Sequence, residues 1–146
     1  MMQGSKSLEN TIEDFRNRFA TNGQFFLSRN DSIAEKCNAK VPNAPGVYII
    51  FGGRRPLYIG KAGTIQQDGR PKKQGLRKRL RMKQGGISRA KFFRNVMADG
   101  RLSRLRFLWF VTLDEKNNII PAFAEMELLQ AHLERHGRLP DLNKSA

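Results

Sequence analysis

The sequence predicts a small α/β domain in which three strands carry helices, preceded by a helical extension. Three observations carry this. Two short runs rich in β-branched and aromatic residues, "GVYIIF" and "PLYIGK", are joined by the turn "GGRR", which reads as a hairpin. A third run, "RLSRLRFLWFVTLD", alternates Leu105, Phe107, Trp109, Val111 and Leu113 onto one face. Around them, apolar residues recur at the spacing of a helix face. The 146 residues suit one domain with one core, and 39% apolar content with ten Phe argues against wholesale disorder.

In chain order, "SLENTIEDFRNRFA" places Leu8, Ile12, Phe15 and Phe19 on one helical face, with Ser7 as N-cap. Residues 21–45 contain the breakers "TNG", "SRND" and "VPNAPG" and read as loop, with "QFFL" as a short ordered piece and a short helix after Asp31. The hairpin follows. Residues 64–74 are polar and basic with Gly and Pro, an exposed loop. "GLRKRLRMK" is helical, with Leu76, Leu80 and Lys83 on one face; "ISRAKFFRNVMADG" is a second helix, striped by Phe92, Phe93, Val96 and Met97 and stopped by Gly100. The run at 101–114 is apolar on both faces in its second half, the mark of a central strand. "PAFAEMELLQAHLERHG" is a helix with Pro121 in its first turn and Gly137 at its end. This divides the chain into an extension over 1–43 and a domain over 44–146.

The net charge of +14 is the strongest compositional fact. Residues 70–106 hold fourteen Lys or Arg and one acid, Asp99, so this segment carries +13 of it. Such a density self-repels unless an acidic partner neutralises it, and it points to nucleic acid ahead of a ribosomal-type role or a membrane surface. The single cysteine, Cys37, excludes an internal disulfide framework and reads as inert. No apolar run approaches the roughly 20 residues of a membrane span, and the first ten residues lack the apolar centre of a secretory signal. A soluble, cytoplasmic protein is expected, associated with the nucleoid when bound to DNA. His132 and His136 stand four apart, but with no third ligand they read as structural.

"PGVY" at 45–48, "YIGKA" at 58–62 and "LRKRL" at 76–80, followed by a late helix with glutamate and a tail "LPDLN", resemble the GIY-YIG nuclease family. The likeness covers roughly residues 44–143 and is nearest to the nuclease domain of bacterial excision-repair incision subunits. It implies a three-stranded antiparallel sheet flanked by helices (an α+β arrangement) that cuts DNA, RNA not being excluded, with one Mg²⁺ or Mn²⁺. By this resemblance Tyr48 is the general base or a base relay, and Tyr58 positions water or phosphate. Arg79 steadies the charge at phosphorus, because a guanidinium forks onto two phosphate oxygens and stays charged. Lys61 and the arginines of the following helix would supply a field that lowers a phenol from its usual pKa of about 10. Glu125 is the metal ligand, being followed by Leu128 and Leu129 as in the family; Glu127 is the alternative, and at about 200° apart only one of them faces the site. Gly46, Gly60 and Asn143 support the site, Asn143 by pinning the tail. Lys83 stands where the family often has His or Tyr, which leaves its role open.

Backbone contacts to nucleic acid are expected from Arg70, Lys72, Lys73, Arg77, Lys78, Arg81, Lys83, Arg89, Lys91 and Arg94. The competing reading is a non-catalytic basic nucleic-acid-binding module on the same fold. A decayed member should have lost Tyr, Arg or Glu, and here Tyr48, Tyr58, Lys61, Arg79 and Glu125 all stand.

Overall fold

A computed structural model describes residues 7–71, 75–81 and 88–146. The elements run α1 (Leu8–Arg18), β1 (Asn22–Ser28), α2 (Ile33–Lys40), β2 (Gly46–Gly52), β3 (Arg55–Ala62), α3 (Leu76–Arg81), α4 (Arg89–Asp99), β4 (Arg104–Val111) and α5 (Pro121–His136). The four strands form one antiparallel sheet in the order β1-β4-β2-β3.

The count of strands corrects the expectation of three. The fourth is β1, in the stretch read as loop apart from the short ordered piece "QFFL", which forms its middle. It pairs with β4 from Asn22 opposite Phe110 to Ser28 opposite Arg104. Phe25 and Leu27 point into the core, and the Phe25 ring stacks on Phe107 at 4.7 Å. Gly23 looks like a breaker in the sequence, but a Cβ there would sit 2.7 Å from the Trp109 ring. The glycine is where the indole lies across the neighbouring strand. The extension over 1–43 therefore contributes a strand as well as helices.

Both faces of the sheet are covered, which is why β2 and β4 are apolar on both sides. On one face Tyr48, Ile50, Phe107 and Trp109 meet Cys37, Leu76, Leu80 and Phe93, residues of α2, α3 and α4. On the other, Val47, Ile49, Ile59 and Phe110 meet Leu8, Ile12 and Phe15 of α1 and Ala124 and Leu128 of α5. Ser7 caps α1 by accepting from Asn10 N, and Ser88 caps α4 by accepting from Lys91 N. Gly137 ends α5 in the left-handed region at φ 72°. β3 lies at the edge of the sheet, and the register of its pairing with β2 shifts between Ile50 and Phe51, beside Tyr58. Such irregularities re-aim neighbouring side chains.

Candidate active site

The site is built around the β3 edge. In the β2–β3 register Tyr48 lies opposite Gly60 and Ile50 opposite Tyr58, so the two tyrosines are diagonal neighbours. Their ring centroids are 6.0 Å apart. A Cβ on Gly60 would come within 2.6 Å of the Tyr48 phenol and 2.7 Å of the Tyr58 ring. Both rings thus fold over a position that only glycine leaves open. Gly46 lies against the Phe110 carbonyl and the Leu76 side chain, in the tight approach of β2 to β4 and α3.

Arg79 is delivered by α3. Leu76 and Leu80 are buried, and the helix is tied down by backbone and side chain together. Leu76 N donates to Ala44 O at 2.9 Å, Arg77 Nε to Val41 O at 2.7 Å, and Arg81 Nη1 to Asn38 Oδ1 at 3.1 Å. The positive charge of Arg79 favours the ionised forms of both the Tyr48 phenol and the Glu125 carboxylate, the latter carried by α5. Exposed Lys61, on β3, also acts on Glu125. Glu127 turns away: it forms a salt bridge to Arg18 of α1 at 3.0 Å. Glu125 carries no hydrogen bond or salt bridge among the described residues. Asn143 closes the edge, its Oδ1 accepting from Ile59 N at 2.9 Å and its Nδ2 donating to Ile59 O at 2.8 Å. Leu142 N donates to Leu57 O alongside, at 2.9 Å.

The electrostatics differ from the sequence-based expectation at Tyr48. Its side chain is 0% exposed, and burial pushes the phenol up to about 12. The nearby guanidiniums of Arg89 and Arg79 favour the phenolate but do not offset desolvation, and the Tyr58 phenol adds to the rise. The expected lowering is therefore reversed. Tyr48 Oη and Arg79 Nε are also both buried without a hydrogen-bond partner, so the two groups are neighbours without a well-formed bond between them. Burial likewise raises Glu125, against the pull of Lys61 and Arg79.

The basic residues divide. Arg70, Lys78, Arg81, Lys91 and Arg94 are exposed, and Arg77 is half-buried with its Nε spent on Val41 O. Asn38, Asn43, Arg77, Lys78 and Arg81 line a shallow cleft of about 510 Å³. A larger cavity of about 740 Å³, between α1 and the hairpin, contains none of the candidate site residues. Lys72, Lys73 and Lys83 lie outside the described residues. Arg89 is a correction: read as a surface contact, it is the first residue of α4 and only 2% exposed, beside the Phe92 and Phe93 rings. The sign of this was present, since Arg89, Phe93 and Met97 share a four-residue spacing on the buried stripe of α4. His132 is buried too, its Nδ1 2.6 Å from Arg138 O, and Cys37 is a buried free thiol raised to about 12, chiefly by burial.

Among the described residues no three His, Cys, Asp or Glu side chains gather to hold a metal, and no helix is long and apolar enough to cross a membrane. No protein family, curated protein or solved structure matches the chain.

Proposed function

We propose that the protein is a metal-dependent endonuclease of the GIY-YIG type that hydrolyses phosphodiester bonds in DNA. The observation that supports this most is convergence. Tyr48 and Tyr58 are ring neighbours across β2 and β3, and the charges of Lys61 on β3 and Arg79 on α3 act on Glu125 of α5, with Arg79 acting on Tyr48 as well.

A single divalent ion fits Glu125. The carboxylate is half-buried and makes no hydrogen bond or salt bridge among the described residues, and a hard ion such as Mg²⁺ or Mn²⁺ takes one carboxylate and keeps most of its waters. Bound there, the ion would neutralise charge at the phosphate and acidify a water. The chain's own groups do the rest. The outer nitrogens of Arg79 fork onto non-bridging phosphate oxygens and hold the charge that develops at phosphorus. Lys61 adds a second cation at the same mouth. The partly exposed Tyr58 Oη orients the attacking water. Tyr48 Oη keeps its proton at neutral pH and serves as the inner member of a phenol relay, not as a ready-made base.

The deep burial of the Tyr48 hydroxyl is the one observation that favours the second reading, a binding module without catalysis. Incubation with supercoiled plasmid at low salt, with Mg²⁺, Mn²⁺ or EDTA, separates the two. Conversion to nicked or linear plasmid with metal and not with EDTA is expected. No conversion with any divalent ion, while DNA is still retained, leaves only the binding module.

A further inference from the structure

The layer formed by α1 and α5 leaves one end of its sheet face open. Of the β4 side chains on that face, Phe110 and Leu108 are buried, Arg106 is half-buried and Arg104 is exposed. In the sheet register Arg106 lies between Phe26 of β1 and Phe51 of β2, so an aromatic, a guanidinium and a second aromatic form a row across three strands. The Arg106 guanidinium stands 4.3 Å from the centre of the Phe51 ring, and that of Arg104 stands 4.1 Å from the centre of the exposed Phe26 ring. Phe51 and Arg106 also line the cavity of about 740 Å³ between α1 and the hairpin, with an apolar floor of Leu8, Ile12 and Leu108. The charges here are only partly answered. Arg16 pairs with Glu13 at 3.2 Å and Arg55 with Asp141 at 2.7 Å. Arg54, Arg104 and Arg106 form no salt bridge among the described residues, and neither does Glu9, the other acid lining the cavity. Arg106 has one hydrogen bond, to Gln24 Oε1 at 3.3 Å. Burial first, and the like charge of Arg16 second, lower its pKa from the usual arginine value.

Guanidiniums laid on aromatic rings beside an apolar hollow suit a ligand that joins flat rings to phosphates. Unpaired bases stack on aromatic side chains and on guanidinium planes, and their phosphates take the outer nitrogens of arginine. We propose that this open end of the sheet is a platform for an unpaired stretch of single-stranded nucleic acid. Bases stack at the Arg106–Phe51 and Arg104–Phe26 pairs, one of them at the mouth of the cavity, and Arg54 meets a phosphate. The cavity falls within the roughly 300–1,000 Å³ of ordinary ligand pockets. A duplex is a poorer fit, because its bases stack on one another and offer no free face. An acidic peptide would answer the cations but would make no use of the ring faces. The platform shares no residue with the catalytic set or with the basic contacts expected on α3 and α4. The choice of nucleic acid as its occupant rests on the proposed function.

A short end-labelled single-stranded DNA of mixed sequence is titrated with the whole chain in EDTA and read by fluorescence anisotropy, beside a blunt duplex of the same sequence. The wild type is expected to bind both, and so is the exposed control Lys116→Gln, which removes one charge elsewhere. Phe26→Leu and Arg106→Gln are each expected to weaken the single strand by roughly 5- to 100-fold, the effect of losing one base stack. The duplex, held elsewhere, should weaken by less than about twofold, because a distant charge is screened. Arg106→Lys keeps the charge and loses the flat fork, so the single strand should stay weakened by at least about fivefold. A basic surface without stacking predicts that lysine restores the binding.

Single-strand affinity unchanged in both Phe26→Leu and Arg106→Gln overturns the platform. So does an equal loss for single strand and duplex, and so does full recovery with Arg106→Lys. Displacement of the strand by polyglutamate as readily as by unlabelled strand overturns the choice of nucleic acid in favour of an acidic peptide. Should Arg106→Gln fail to fold, Phe26→Leu and Arg104→Gln, both at exposed positions, decide in its place. Metal-dependent plasmid cleavage with single-strand affinity unmoved by these variants overturns the platform alone. The platform response without cleavage by the wild type overturns the nuclease reading alone.

Discussion

Replacing Tyr48 by Phe removes one oxygen and tests the most unexpected feature of the site. The hydroxyl is fully buried and makes no hydrogen bond, so its loss at neutral pH gives up no partner and ends a desolvation cost. A buried unsatisfied polar group costs about 1–3 kcal/mol, and the low end applies with two guanidiniums nearby. Tyr48→Phe should therefore be as stable as the wild type or more stable by about 1 kcal/mol, a rise in Tm of about 3 °C at this chain length. The pH dependence is the sharper readout. Tyr48 has a folded-state pKa of about 12 against an ordinary 10.0. Between those values the unfolded chain has lost the proton and the folded chain still holds it. The folded state binds more protons there, so stability falls as pH rises through the window. Two units correspond to about 3 kcal/mol in all, of which roughly half is spent by about pH 11. The Phe variant lacks this loss. Cys37, which burial also raises, titrates in both chains and cancels in the difference. Urea denaturation of the two proteins from about pH 7 to 11 measures it, with cleavage assayed alongside. A stability difference that stays flat above about pH 9, or a Phe variant weaker by more than about 1 kcal/mol at neutral pH, would refute the argument for a buried, unpartnered phenol.

Glu125→Gln is expected to abolish metal-dependent cleavage with DNA retention intact, while Glu127→Gln cleaves normally and loses under about 1 kcal/mol, since its partly exposed ion pair with Arg18 is worth little. Plasmid nicking and filter retention on both variants check this; activity lost with Glu127→Gln and kept with Glu125→Gln reverses the assignment. Asn143→Ala should cost about 1–3 kcal/mol, because it leaves the Ile59 N–H and carbonyl without their two side-chain partners. Urea midpoints give the loss, and hydrogen exchange at Ile59 should rise with it; unchanged exchange there means the tail does not hold the edge.

Much of the fold could be read from local pattern. The hairpin, the central strand at 104–111 and the helices of α1, α4 and α5 all show their period, because each buries a continuous stripe or face. β1 did not, since Asn22 and Gly23 look like turn residues until Trp109 is laid across them. Arg89 misled for a related reason. Charge in a basic run reads as solvated surface, and only its four-residue spacing to Phe93 and Met97 marks the buried stripe.

The chain by itself determined which residue types are present and in what order: paired tyrosines on a hairpin, an arginine on a short basic helix, a glutamate on a late helix, and a concentration of positive charge. Tertiary structure decided which of them meet. It put Glu125 within the electrostatic influence of Lys61 and Arg79 and gave Glu127 to Arg18, a choice that two acids on one helix do not make alone. It also decided the sign of the shift at Tyr48. The cations that favour a phenolate are visible in the sequence, but desolvation depends on everything packed around the ring, from strands and helices far apart in the chain, and here it outweighs them.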